Sequence, residues 1–167
     1  EKYPPPLGPR VLIAIAEAHV EAGQINEAER AMELALKQSI PPAELRQMVL
    51  IRGRILAKEG DPAGALKAWK PLEDGGPSPT RAEAILARVQ LMTAAKQLDR
   101  GQAIDTLDRL RYAWRGDRVE LRTLLALAKL HADNANFRAS LLTLREAAIL
   151  FPNAREAREI AVEMDLA

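Results

Sequence analysis

Residues 49–77 read VLIRGRILAKEGDPAGALKAWKPLEDGGP. The stretch divides at Gly60. Before it, Val49, Arg52, Gly53 and Leu56 recur at the three- and four-residue intervals of one helix face. After it, Asp61-Pro62 pairs a capping side chain with a proline in the first helical turn. Ala65 and Trp69 then fall one turn apart, and Asp74-Gly75-Gly76-Pro77 ends the second helix. The stretch reads as a helical hairpin.

The same arrangement recurs outward in both directions. Ala28, Ala65, Ala103 and Ser140 are spaced by 37, 38 and 37 residues, and four residues after each comes Met32, Trp69, Leu107 or Leu144. A small residue followed one turn later by a large one lets two helices approach and interlock. A second set, Leu12-Ile15-Ala16-His19, Val49-Arg52-Gly53-Leu56, Ile85-Arg88-Val89-Met92 and Leu124-Leu127-Ala128-His131, recurs between them. The punctuation predicts nine helices, over about 9–22, 26–38, 43–59, 62–73, 80–96, 102–114, 117–133, 137–150 and 154–166. Gly23 suits a left-handed C-cap, Asn26 and Asn136 serve as N-caps, and Thr80 with Glu83, Asp117 with Glu120 and Asn153 with Glu156 as capping boxes. Four hairpin units, about 9–40, 41–77, 79–115 and 117–152, precede a capping helix at 154–166.

Composition agrees with an all-α chain. Of 167 residues 48% are apolar but only 4% aromatic, so the core is built from Ala, Leu, Ile and Val. The lack of Cys excludes a disulfide framework, thiolate metal ligation and a cysteine nucleophile. A formal charge of +1 gives no global field for a polyanion or an anionic membrane, and no apolar run has the length of a membrane span. The chain opens on Glu1 with no signal-peptide pattern, and Pro4-Pro5-Pro6 makes residues 1–8 an extended arm or linker. This start is expected of one domain of a larger protein, with the Ala- and Arg-rich style suggesting a bacterial source; the expected compartment is soluble, cytoplasmic or periplasmic.

Across residues 9–152 the pattern resembles the tetratricopeptide repeat family, W-x2-L-G-x2-Y then A-x3-F then P. Gly53, Gly60, Ala65, Trp69 and Pro77 make the second unit the nearest match; the third departs most, with Val89 in a small-residue slot and two extra residues before Ala103. The resemblance implies a right-handed superhelix of hairpins whose odd-numbered helices line a concave, ligand-binding side. Carried over position by position, it puts Ile13, Leu50, Leu86 and Leu125 on that side. Ala14, Ile51, Ala87 and Ala126 lie beside them, and Glu17, Arg54, Gln90 and Lys129 one turn further. An apolar floor edged by mixed charge suits a helix or apolar peptide segment of another protein. The family's carboxylate grip is not supported, because Ile13 and Glu17 stand in its places. The same stripe is also what a tightly coiled ribbon, buried on both sides, would carry.

Other motifs read as structural. His19 and His131 occupy one slot three units apart, too distant for a joint metal site. No metal-ligand, Walker or G-x-G-x-x-G pattern occurs, and Asp105 and Asp108 lie beside Arg109 and Arg111 as solvated pairs. The basic, aromatic run from Arg109 to Arg118 is interleaved with acids that a nucleic-acid groove would avoid, and in Arg115-Gly116-Asp117 the glycine ends one helix and the aspartate caps the next. The expectation is a non-catalytic protein-interaction scaffold without cofactor, metal, nucleic acid or membrane insertion. The alternatives are a self-assembly module and a regulatory or targeting domain of a larger protein.

Overall fold

A computed structural model describes residues 7–155. It is all-α: among the described residues there are eight helices, α1 Leu7–Glu21, α2 Ile25–Leu36, α3 Pro42–Lys58, α4 Pro62–Glu73, α5 Pro79–Ala94, α6 Arg100–Ala113, α7 Arg118–Asp133 and α8 Phe137–Leu150. The expected ninth helix at 154–166 lies essentially outside the described residues, as does most of the expected arm. Of the residues expected in the arm, Leu7 and Gly8 belong to α1. The chain divides into two compact units, Glu1–Gly76 and Pro77–Ala167. In the first, α1 packs on α2 and on α3, and α3 on α4; in the second, α5 packs on α6 and α7, α6 on α7, and α7 on α8.

Each hairpin turns through the same device. Gly23, Gly60, Lys96 and Ala135 all adopt left-handed backbone, with φ of 77°, 83°, 55° and 56°. The amide that follows each one bonds back to the preceding helix: Gln24 to His19 O and Asn136 to His131 O at 2.8 Å, Asp61 to Leu56 O at 2.9 Å, Gln97 to Met92 O at 2.8 Å. The amides of Gly23, Gly60, Lys96 and Ala135 themselves reach Val20, Ala57, Thr93 and Ala132 at 2.9–3.3 Å. These paired bonds form a Schellman turn that satisfies carbonyls a helix end otherwise leaves open. Only the first two turns use glycine, which alone adopts this backbone without steric cost.

Helix starts follow the capping chemistry with two corrected caps, and α6 starts two residues earlier than expected. Ser78, not Thr80, caps α5, its hydroxyl accepting from Arg81 N at 3.1 Å while Pro79 takes the first helical position. The proline's fixed φ draws the start forward. Asp99 caps α6 through Gly101 N, and α2 begins at Ile25 with no side-chain cap, so Asn26 is not its N-cap. Asp61, Asp117 and Asn136 cap as the sequence indicates.

The first unit's core joins Ile13, Ala16, Val20, Ala28, Ala31, Ala35, Met48, Ile51 and Ile55. Gly53 sits beneath the buried Trp69, and a Cβ there would fall onto the indole ring. The indole N–H donates to Leu50 O at 3.1 Å, so this ring is both packed and satisfied. Across α1 and α3 the Arg10 guanidinium bonds the buried Glu44 carboxylate. That bond, and then Glu44's own backbone amide, hold the carboxyl below its ordinary 4.5 although burial pushes the other way. In the second unit Ala82, Leu86, Val89, Ala103, Leu107, Leu110, Val119, Leu127 and Leu130 form the core.

Three outcomes follow from these contacts. Gly53→Ala, a change worth about 1 kcal/mol of stabilisation in an open helix, is expected to destabilise by roughly 1–3 kcal/mol through overpacking on Trp69, read as a fall in chemical-denaturation midpoint. Lys96→Gly and Ala135→Gly should leave stability unchanged or raise it by up to about 1 kcal/mol, while Gly60→Ala lowers it by about that amount. The Glu44 carboxyl titrates lower folded than unfolded, so its stabilisation is full above the ordinary value and lost as pH falls through the lowered one. Glu44→Gln should therefore lower the melting temperature at neutral pH and flatten its decline on acidification.

Candidate functional site

The residues expected along an inner stripe separate into four groups. Ile13 and Ile51 belong to the first unit's core at 1% and 0% exposure, Leu86 to the second unit's core at 0%, and Leu50 is 2% exposed. These four are corrected from groove floor to core. The reason is geometric: the spacing that lines a groove also lines the seam where a helix is gripped by two neighbours. Glu17 and Arg54 are joined to each other at 2.7 Å, with Gln47 donating to Glu17 at 3.3 Å, so this pair ties α1 to α3. Leu125 is half-buried against Leu121, Leu124 and Ala147. Gln90 and Lys129 alone among the nine are well exposed, and both line one cleft.

That cleft, of about 840 Å³, lies wholly within the second unit, walled by the C-terminal halves of α5 and α7 and by the segment joining α5 to α6. Its apolar part comes from Val89, Leu98, Leu107, Ala126 and Leu130, and its polar part includes Gln90, Thr93 and Gln97. Lys96, Arg100, Lys129, Asp99 and Asp133 supply the charge. Two of these groups are engaged. Asp99 accepts from Gly101 N and Gln102 N at 2.8 and 3.4 Å, and Arg100 donates to Asp133 O at 2.8 Å. Lys96 and Lys129 have no side-chain partner among the described residues.

The cleft has a cause in the sequence. In the other three hairpins the capping residue follows the left-handed one directly: Gly23-Gln24, Gly60-Asp61, Ala135-Asn136. In the third, Gln97 and Leu98 intervene between Lys96 and Asp99. The small slot filled by Ala16, Gly53 and Ala128 elsewhere holds Val89 here. In this hairpin α5 and α6 make less contact than the partners of any other hairpin. Extra chain and an extra branched side chain loosen the contact of α5 with α6, and the cleft is bounded by α5, α7 and the joining segment.

The remaining motifs are absorbed by structure. Glu120, 3% exposed, accepts from Arg115 Nε at 3.0 Å and Gly116 N at 2.6 Å, while Asp117 accepts from Trp114 Nε1 at 2.8 Å and caps α7. Arg115, Gly116 and Asp117 thus close one corner. Arg111 bridges Asp108 and Glu146 at 2.9 and 3.1 Å and lies over Tyr112. His19 Nδ1 meets Gln24 Oε1 at 2.6 Å; at the corresponding place Asn136 is used as a cap, and His131 Nδ1 is left without a partner. Among the described residues no group of three His, Asp or Glu could hold a metal, and no helix is long and apolar enough to cross a membrane.

Comparison with protein-family models, curated proteins and solved structures gives no match. The site's chemistry therefore rests on its own geometry: apolar walls, amide side chains and two unpaired ammonium groups, an arrangement for binding.

Leu86→Asp, which buries a charge in the second unit's core, is expected to cost about 4 kcal/mol or more. Lys129→Ala on the cleft rim should change stability by no more than about 0.5 kcal/mol. Equal, small effects from both would return Leu86 to the surface and contradict the core assignment.

Proposed function

We propose that this chain is a non-catalytic binding module, a superhelix of four tetratricopeptide-like hairpins, that takes a peptide segment of another protein into the cleft of its third hairpin. The observation carrying this reading is the coincidence of the one irregular repeat with the 840 Å³ cleft. Val89 and the inserted Gln97-Leu98, the departures of the third hairpin from its siblings, are on the cleft wall together with Lys96. The fourfold recurrence of the same left-handed turn supports the repeat architecture.

A second reading, self-assembly, draws on α8, where Phe137, Leu142 and Ile149 are 65%, 58% and 68% exposed. Apolar side chains concentrated in this way favour contact with another surface. Sedimentation over a range of concentrations separates the two, since a monomer at high concentration removes the assembly reading.

The binding reading is tested by selecting binders from a randomised peptide display library against the whole chain. Ala94, an exposed residue on the cleft wall, offers a substitution that fills the space without entering the core. Selected peptides should bind the wild type and lose at least about tenfold in affinity with Ala94→Trp, whose circular dichroism and melting stay near wild type. Failure to enrich any binder, or binding indifferent to Ala94→Trp, would falsify the cleft as the binding site.

A further inference from the structure

Resting on the peptide-binding reading of the cleft, we infer that its occupant is an acidic–apolar segment, one that places a carboxylate side chain between Lys96 and Lys129 and apolar side chains on the walls beneath. The cleft's charges do not cancel in place. Asp99 is committed to the first-turn amides of α6 and Arg100 to the backbone of Asp133. What is left to meet a ligand is the pair Lys96 and Lys129 against the single carboxylate of Asp133. An ammonium group over apolar walls binds a carboxylate more strongly than it would in open water, because the walls exclude part of the competing solvent. A wholly acidic tail would leave Leu98 and Ala126 uncovered and would face Asp133; a wholly apolar segment would strip water from both lysines without replacing it. The segment that satisfies walls and rim together carries both kinds of side chain.

The two lysines are also held from fixed points. Lys96 is the left-handed residue of the third turn, its backbone tied by bonds from its own amide to Thr93 O at 3.0 Å and from Gln97 N to Met92 O at 2.8 Å. Lys129 projects from α7 one residue after the buried Ala128. Neither backbone has to be ordered when a ligand arrives, which lowers the entropic cost of binding. Gln90 and Gln97, on the same walls, offer amides that can bond an incoming peptide backbone.

The sequences recovered from the randomised library on the whole chain test this directly. The expected pool is enriched in Asp or Glu next to Leu, Ile, Met or Phe. A synthetic peptide from it should lose roughly three- to tenfold in affinity with Lys96→Gln and again with Lys129→Gln. Exchanging its acids for amides should cost the wild type the same factor and the doubly substituted chain nothing, and its binding should weaken with added salt. A pool that is neutral or basic, or affinities unmoved by both lysine substitutions, overturns the inference; if those peptides are still lost with Ala94→Trp, the peptide cleft itself stands. No enriched binder at all overturns both. Circular dichroism of each variant guards the comparison, and because both lysines lie on the surface a loss of fold is not expected from either.

Discussion

The close approach of two helices at a small residue is the constraint on which the structure depends. Ala28, Ala65, Ala103 and Ser140 are all buried where the second helix of a hairpin meets its neighbours, as are Ala16, Gly53 and Ala128 in the first helices. With so few aromatic residues, the chain gains burial by bringing backbones near each other more than by filling wide gaps. Trp69 is the exception that demonstrates the rule, since the largest side chain in the first unit fits only because Gly53 has none. Where the rule is relaxed, at Val89, the hairpin opens and a cleft results. Packing and the cleft are thus two outcomes of one variable, the size of the residue at the crossing.

Charge plays a different part in the two units. In the first, the cross-helix pairs Arg10–Glu44, Glu17–Arg54 and Glu29–Arg52 tie α3 to α1 and α2. Of the three only Glu29–Arg52 is exposed at both ends, and a pair of that kind contributes on the order of 1 kcal/mol or less. In the second, Glu83–Arg122 and Glu146–Arg111 do the same work, but Lys96 and Lys129 are left over at the cleft. What sets these two lysines apart is their place on the wall of the cleft, beside apolar side chains.

Much of the fold was legible because its signals are local. Pro62, Asp61, Asp117 and Asn136 announce helix starts by chemistry that operates within one turn, and Gly23 and Gly60 announce left-handed ends. Lys96 and Ala135 adopt the same backbone with no sequence signal, since only glycine advertises it; the turn is imposed there by the hairpin's need to reverse. The inner stripe was misjudged at Ile13, Leu50, Ile51 and Leu86 because helical period reports that a face is apolar, not what covers it. The cleft was half-visible. Its inserted residues and Val89 stood out as departures from the repeat, but a departure becomes a space only when the partner helix is in place.

The proposal stands or falls on whether the cleft beside the third hairpin is where this chain binds. Amide hydrogen–deuterium exchange of the whole chain, with and without a peptide selected on it, tests that claim most directly. Slowed exchange is expected in the C-terminal halves of α5 and α7 and in the segment joining α5 to α6, with residues 7–76 unchanged. Protection confined to residues 7–76, or to α8, would contradict it.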